Sequence, residues 1–367
     1  MPTIDTNFES GSVEFVSFDE TQKNLSLHLI KNQKGKTNHW FYFKVTNVYD
    51  DFTIFIHNAN ESIFKNGWKG YYPFISYDGV CWERYDRCFE ETGESISIPI
   101  NNIRKDFFFA WYEPYSVNRL KELATQITQN TQAVVEKKNN FYAVKFVNEN
   151  KPTVLITARQ HPGETMASFF IEGFLKKLID NSTESKELLE RFNFQIYPLV
   201  NTDGVIKGTH RTDFAGNDYN IKWYSSFIEN IEIIKKDLRK DTFLFLDIHG
   251  DEVSKINYAY YLRRNIKSKF NHRLFNSLCA NYPALIFIPM PSFLRMFLKE
   301  LLYNKKILLY RRKSYHIEAV DYVVEKTKAL SFVVELNAHK NSPEDCIDLG
   351  RQLVRAMYLS TSEFLLR

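Results

Sequence analysis

The chain has 367 residues, 44% of them hydrophobic and 25% charged, which excludes a disordered polymer and leaves room for one large domain or two ordinary ones. A net charge of +4 points to no particular partner, and no run of about 18 apolar residues crosses a bilayer. Residues 1–11 lack the apolar core of a secretion signal, so Cys81, Cys88, Cys279 and Cys346, which fall at no metal-ligand spacing, are expected as free thiols of a cytoplasmic protein.

In chain order, the first 115 residues read as short strands separated by turn signals. Trp40-Phe41-Tyr42-Phe43-Lys44-Val45, Phe52-Thr53-Ile54-Phe55-Ile56 and Phe107-Phe108-Phe109-Ala110-Trp111 are aromatic or β-branched at nearly every position. Asn66-Gly67 and Asp78-Gly79 lie between them, and the pattern predicts a small antiparallel β-sandwich. No catalytic cluster falls in this part, which reads as a structural or docking module. With 31 Phe and 21 Tyr in the chain, much of the core is expected to be aromatic.

After Tyr115 the pattern changes. Ser116 is a candidate cap for a helix through Leu120, Leu123 and Ile127. Strands are predicted over 153–157, 194–200 (weakened by Pro198), 243–246 and 332–334, with a helix over 166–179 after the first. Strands alternating with helices predict an α/β layer with a largely parallel sheet flanked by helices, over residues 116–367.

Open α/β sheets bind ligands beyond the carboxyl ends of their strands. The predicted strands lead into Arg159-Gln160-His161-Pro162-Gly163-Glu164, Asn201-Thr202-Asp203-Gly204, Asp247-Ile248-His249-Gly250 and Glu335-Leu336-Asn337. Two histidines and two glutamates are thus expected at one sheet edge. A catalytic zinc takes three His, Glu or Asp ligands and keeps one position for water. His161, Glu164 and His249 fit that set, with Asp247 as a partner for a ligand histidine. A lone His-x-x-Glu is common by chance; the convergence of these pieces at successive strand ends carries the metal reading. Glu335, ending an apolar strand, reads equally well as a structurally paired carboxylate or as a base.

These residues resemble the zinc metallocarboxypeptidases, and within them the cytosolic carboxypeptidase-like branch with an N-terminal β-sandwich. The resemblance spans nearly the whole chain. It rests on Trp40-Phe41-Tyr42-Phe43, Gly70-Tyr71-Tyr72-Pro73, Ala110-Trp111-Tyr112-Glu113-Pro114-Tyr115, His161-Pro162-Gly163-Glu164, Asn201-Thr202-Asp203-Gly204-Val205, Arg211, Asp247-Ile248-His249-Gly250-Asp251-Glu252 and Val334-Glu335. It implies one zinc held by His161, Glu164 and His249, with Glu335 as general base. It also implies that Arg211 stabilises the oxyanion, that Asn220 holds a substrate's terminal carboxylate, and that Asp203 and Gly204 shape a turn. The implied substrate is a peptide or protein C-terminus.

One position departs from the family pattern. Where Asp-Leu-Asn-Arg is usual, this chain reads Asp218-Tyr219-Asn220-Ile221, and an apolar side chain cannot replace a guanidinium that grips a carboxylate. Between Leu262 and His316 stand twelve Lys or Arg and one acidic residue, Glu300. The basic ones are Arg263, Arg264, Lys267, Lys269, Arg273, Arg295, Lys299, Lys305, Lys306, Arg311, Arg312 and Lys313. A basic wall attracts acidic substrates, and the resemblance implies removal of glutamates from acidic tails as one expectation; a solvated basic surface or a site for anionic partners is the other. The rival readings are a zinc amidohydrolase acting on an acylated amino acid or a cell-wall peptide, and an inactive binding protein on the same scaffold. No nucleic-acid module is recognised. Tyr310, Tyr315 and Tyr322 are the candidates for a tyrosine closing over the substrate.

Overall fold

Period-two burial organises the first 110 residues. In Phe52–Ile56 the first, third and fifth side chains are buried and the two between are half-exposed. Two five-stranded sheets result. One runs, edge to edge, Thr3–Asp5, Tyr42–Thr46, Phe107–Ala110, Phe74–Ser76 and Trp82–Arg84, and is antiparallel throughout. The other runs Glu14–Asp19, Asn24–His28, Phe52–Ile56, Ser95–Ile100 and Glu90–Thr92. Here Asn24–His28 and Phe52–Ile56 pair in parallel, because the chain crosses to the other sheet to form Tyr42–Thr46 before returning. Leu25, Leu27, Phe41, Phe43, Ile54, Ile98, Phe107 and Phe109 are fully buried in this part. The rings of Trp68, Phe41 and Phe109 stack in sequence. The computed structural model describes residues 1–130, 133–147, 150–225, 227–261, 269–289 and 318–362.

Ser116 caps the Val117–Asn130 helix, its Oγ accepting from the Arg119 N–H at 3.0 Å. Beyond it lies an eight-stranded sheet in the order Val134–Lys138, Phe141–Phe146, Asn193–Tyr197, Thr153–Ala158, Thr242–Asp251, Leu330–Asn337, Tyr258–Tyr261, Ile286–Pro289. Its four central strands are mutually parallel. Alternate residues face two helical layers. Val154, Ile156 and Ala158 join a core with the Thr165–Leu178 and Pro343–Ser362 helices. Leu155 and Phe245 join Ile231, Ile234, Val320 and Val323 on the opposite side. The mixed, largely parallel sheet flanked by helices is the class the sequence predicts. The strand before Pro198 stops at Tyr197, since proline has no N–H for the ladder.

Two strands run further than the apolar pattern indicates. Thr242–Asp251 and Leu330–Asn337 stay paired up to Asp251↔Asn337, so His249 and Glu335 lie inside strands rather than past them. Polar residues there cost the ladder nothing, because pairing uses only the backbone.

The helix that follows Glu164 is locked in place by backbone contact. A Cβ at Gly173 would stand 1.9 Å from the Ile347 carbonyl oxygen, and one at Gly350 would stand 2.0 Å from that of Phe170. Gly173→Ala is therefore expected to lower stability by about 3 kcal/mol or more, read as a fall in the urea midpoint. An unchanged midpoint would mean the two helices can separate freely.

The β-sandwich grips the end of the Leu330–Asn337 strand through Arg84. This guanidinium donates to the carbonyls of Tyr72, Ala338 and Asn341 at 2.6–2.8 Å. It also lies 4.5 Å from the Phe74 ring centroid and 5.7 Å from those of Tyr71 and Tyr112.

Candidate active site

His161, Glu164 and His249 converge as the sequence predicts, and they are the group among the described residues whose ligand atoms lie close enough to share an ion. They are 4%, 2% and 1% exposed. His161 Nδ1 is 2.6 Å from Glu164 Oε1, His249 Nδ1 is 2.9 Å from Glu164 Oε2, and the two Nδ1 atoms are 3.1 Å apart. Each ring also meets a carboxylate at its outer nitrogen. His249 Nε2 faces Asp247 Oδ2 at 3.0 Å, and His161 Nε2 faces Asp218 Oδ1 at 3.3 Å. Each imidazole therefore lies between two acceptor carboxylates, Glu164 at Nδ1 and Asp247 or Asp218 at Nε2; burial alone would lower His249, but the Asp247 and Glu164 charges outweigh it and hold the ring well above the usual imidazole range. A divalent cation taken up between the two Nδ1 atoms and Glu164 would displace the inner protons and leave the outer carboxylates holding each Nε2–H, so the donor set fits a metal site.

The turn between His161 and Glu164 is held from both sides. Arg159, fully buried, donates through Nε to the Pro162 carbonyl at 2.9 Å and through Nη1 to Ser168 Oγ at 2.9 Å, and its Nη2 also reaches Pro162. Its backbone sits at φ +58°, a left-handed conformation that strains a non-glycine residue. On the other side the Gly163 N–H donates to the His210 carbonyl at 2.8 Å, and a Cβ on Gly163 would meet the His210 ring at 2.3 Å.

Arg211 donates through Nε to Asp218 Oδ2 at 2.8 Å, leaving its terminal nitrogens, and its side chain is 27% exposed. Burial alone would raise the Asp218 carboxyl, but the Arg211 and His161 charges outweigh it and hold the group below the usual carboxylate range. Asn220 is buried; its Oδ1 accepts from the Ala319 N–H at 3.1 Å and so helps cap the Ala319–Thr327 helix. Ile221, next to it, is 42% exposed. Glu335 is half-buried, in register with His249 on the neighbouring strand. Asn201 caps the helix at Thr202–Ile206, accepting from the Gly204 N–H at 3.0 Å; Asp203 and Gly204 belong to that turn.

A polar cluster backs the site where the two parts of the chain meet. His39 stacks on Trp68 at 3.9 Å and meets the His210 ring edge at 5.2 Å. His210 Nε2 is 3.3 Å from Glu252 Oε1, without hydrogen-bond geometry. Burial, then the charges of Glu164 and Asp251, hold the Glu252 carboxyl well above its usual range, and burial pushes His210 down to about 3. Burial, then His210 and His339, keep His39 well below the usual imidazole value. The folded protein therefore keeps His39 neutral while the unfolded chain takes up a proton below about pH 6.5. The unfolded state binds more protons there, so stability is lost as pH falls below that value. His39→Phe should flatten the stability–pH curve between pH 8 and 5 by up to about 1.4 kcal/mol per pH unit, measured by urea unfolding. Parallel curves would mean that His39 titrates normally.

Residues 4–112 match the family description of the cytosolic carboxypeptidase N-terminal domain, and residues 116–237 match that of zinc carboxypeptidases. Taken together these two matches run over residues 4–237, and both are to zinc metallocarboxypeptidases. Within them, its N-terminal match and its relatives place it in the cytosolic carboxypeptidase-like branch. It is 29% identical to an uncharacterised protein of Zymomonas mobilis, over 68% of this chain and 67% of that one. It is 26% identical to cytosolic carboxypeptidase 3 of Mus musculus over 72% of this chain, a match that takes in only 31% of the mouse protein. The metallo-carboxypeptidase of Burkholderia cenocepacia shares the fold, with a TM-score of 0.82 at 23% identity over 99% of both chains.

Asp218 and Gln160 carry no role expected from sequence, and both reach the site, Asp218 through His161 and Arg211 and Gln160 through Asp247. Asp218 had a signal, since it stands two residues before Asn220 in the motif. Tyr322 lies on the Ala319–Thr327 helix against Trp223 and Tyr224, at ring distances of 5.7 and 5.2 Å. Tyr310, Tyr315 and ten of the twelve basic residues between Leu262 and His316 lie outside the described residues; Lys269 and Arg273 belong to the Lys269–Asn281 helix. No helix among the described residues is long and apolar enough to cross a membrane. All four cysteines are free.

Proposed function

We propose that this chain is a zinc-dependent carboxypeptidase that hydrolyses C-terminal peptide or isopeptide bonds, with glutamates of acidic tails as the candidate substrate. In this reading it divides at residue 115 into a β-sandwich and a catalytic domain and works in the cytoplasm. The observation that carries it is the convergence of the His161 and His249 Nδ1 atoms on Glu164, with Glu335 in register one strand away.

His161, Glu164 and His249 hold the zinc, which when bound makes water nucleophilic near neutral pH and polarises a carbonyl. Glu335 accepts a proton from the attacking water on a carboxylate oxygen and returns it to the leaving nitrogen. Arg211, anchored through Nε, directs its terminal N–H groups to the carbonyl oxygen as negative charge develops. Asn220 Nδ2 donates to the substrate's terminal carboxylate. Asp247 and Asp218 keep the protons on the outer nitrogens of the two histidines, so that both inner lone pairs stay available.

Metal analysis together with matched Glu-, Leu- and Lys-ended peptides tests this. About one zinc per chain and stepwise release of single residues, fastest from the Glu-ended peptide, are expected. Equal rates on all three would remove the acidic preference. Zinc without trimming would favour the amidohydrolase reading, which the exposed Ile221 beside Asn220 supports. A protein without metal would sink the enzyme assignment.

A further inference from the structure

The two metal-facing histidines are not held independently of the turn that carries Asn220. Asp247, fully buried, accepts at Oδ1 from Thr157 Oγ1 at 2.7 Å. At Oδ2 it accepts from His249 Nε2 at 3.0 Å and from Gln160 Nε2 at 2.6 Å. Gln160, fully buried as well, accepts at Oε1 from the Trp223 indole N–H at 2.7 Å. The direction of this chain of bonds is fixed at both ends. An indole N–H only donates and a carboxylate only accepts, so the Gln160 oxygen must face Trp223 and its NH₂ must face Asp247. Reversing the amide would break both bonds in a site closed to water.

Trp223 closes the segment begun by Asp218, which contacts His161 and Arg211 and contains Asn220. It is buried against Tyr322 on the helix that Asn220 caps. A displacement of the segment therefore reaches His249 through Trp223, Gln160 and Asp247, and reaches His161 through Asp218.

Resting on the metal reading above, we propose that Gln160 is a positioning residue that ties His249 to the Asn220 turn, so that metal affinity and the placement of that turn depend on each other. It touches neither metal nor substrate. Asp247 has two other donors, yet only Gln160 connects it to the substrate side. Methionine at position 160 keeps the volume and removes both bonds; phenylalanine at 223 keeps much of the packing and removes only the N–H.

The test is zinc affinity of the wild type, Gln160→Met, Trp223→Phe and the double variant, by competition with a chromophoric chelator. Visible spectra of the Co²⁺-loaded proteins, and circular dichroism of the metal-free ones, accompany it. Gln160→Met is expected to weaken zinc binding about 10- to 100-fold and to shift the Co²⁺ bands, with the metal-free fold unchanged. Trp223→Phe should weaken binding by less, and the double variant should bind no worse than Gln160→Met alone. Wild-type affinity and spectra in folded Gln160→Met overturn the inference while leaving the metal site intact. If Gln160→Met does not fold, Trp223→Phe decides: wild-type affinity and spectra there overturn the link. A wild type that takes up no zinc removes the metal reading and this inference with it.

Discussion

Glu335→Gln is expected to lower kcat by about 10²- to 10⁴-fold, with zinc content and KM close to wild type. The expectation rests on where the strand ends. Glu335 is in register with His249 on adjacent parallel strands, so both side chains leave the same face of the sheet about 5 Å apart at the backbone. Glutamine preserves that shape and some of its hydrogen bonds but cannot accept a proton. Glu252 also lies close by, but it is not free to accept a proton near neutral pH. It is buried toward His210, and its surroundings keep it protonated well above the usual carboxylate range. His249→Ala serves as the contrast, since it should lose metal and activity together. The measurement is kcat and KM on a trimmed peptide beside metal analysis of the same samples. Full activity in Glu335→Gln with zinc in place would reassign the base.

The candidate ligand set is legible in the sequence because each of its residues stands next to an apolar strand, and strands of a parallel sheet end on one side. His161 and Glu164 needed only local spacing. His249 and Glu335 needed the assumption that their strands are neighbours, which the Thr242–Asp251 and Leu330–Asn337 pairing meets. What could not be read were the groups whose roles depend on distant partners. Gln160 looks like any polar residue in a loop until Asp247, 87 positions away, and Trp223, 63 positions away, are brought to either side of its amide. Arg159 gives no sign in sequence of its left-handed backbone or of the guanidinium that turns forward to Pro162. The parallel pair in the β-sandwich was hidden for a related reason. Local alternation sets which face is buried but not the direction of the neighbouring strand.

Asp218→Ala is the second large expected loss, and it should act on two functions at once. One carboxylate oxygen faces His161 Nε2 at 3.3 Å, and the other accepts from Arg211 Nε at 2.8 Å. Removing it leaves a ligand imidazole free to rotate or change tautomer, and it leaves a guanidinium in the pocket wall without its anchor. Loss of a carboxylate behind a ligand histidine weakens metal binding by about 10- to 100-fold. A misplaced oxyanion donor costs about 10²- to 10³-fold in kcat. Because the two effects share one residue, saturating zinc should restore the first and not the second. Asp218→Asn separates them further. Its amide oxygen can still accept from one partner but carries no charge, so it should hold zinc better than Asp218→Ala while remaining impaired in turnover. The assay is kcat against added zinc for both variants. Recovery of full turnover by zinc alone would mean that Arg211 needs no help from Asp218. No change in zinc affinity would mean that His161 keeps its orientation without it.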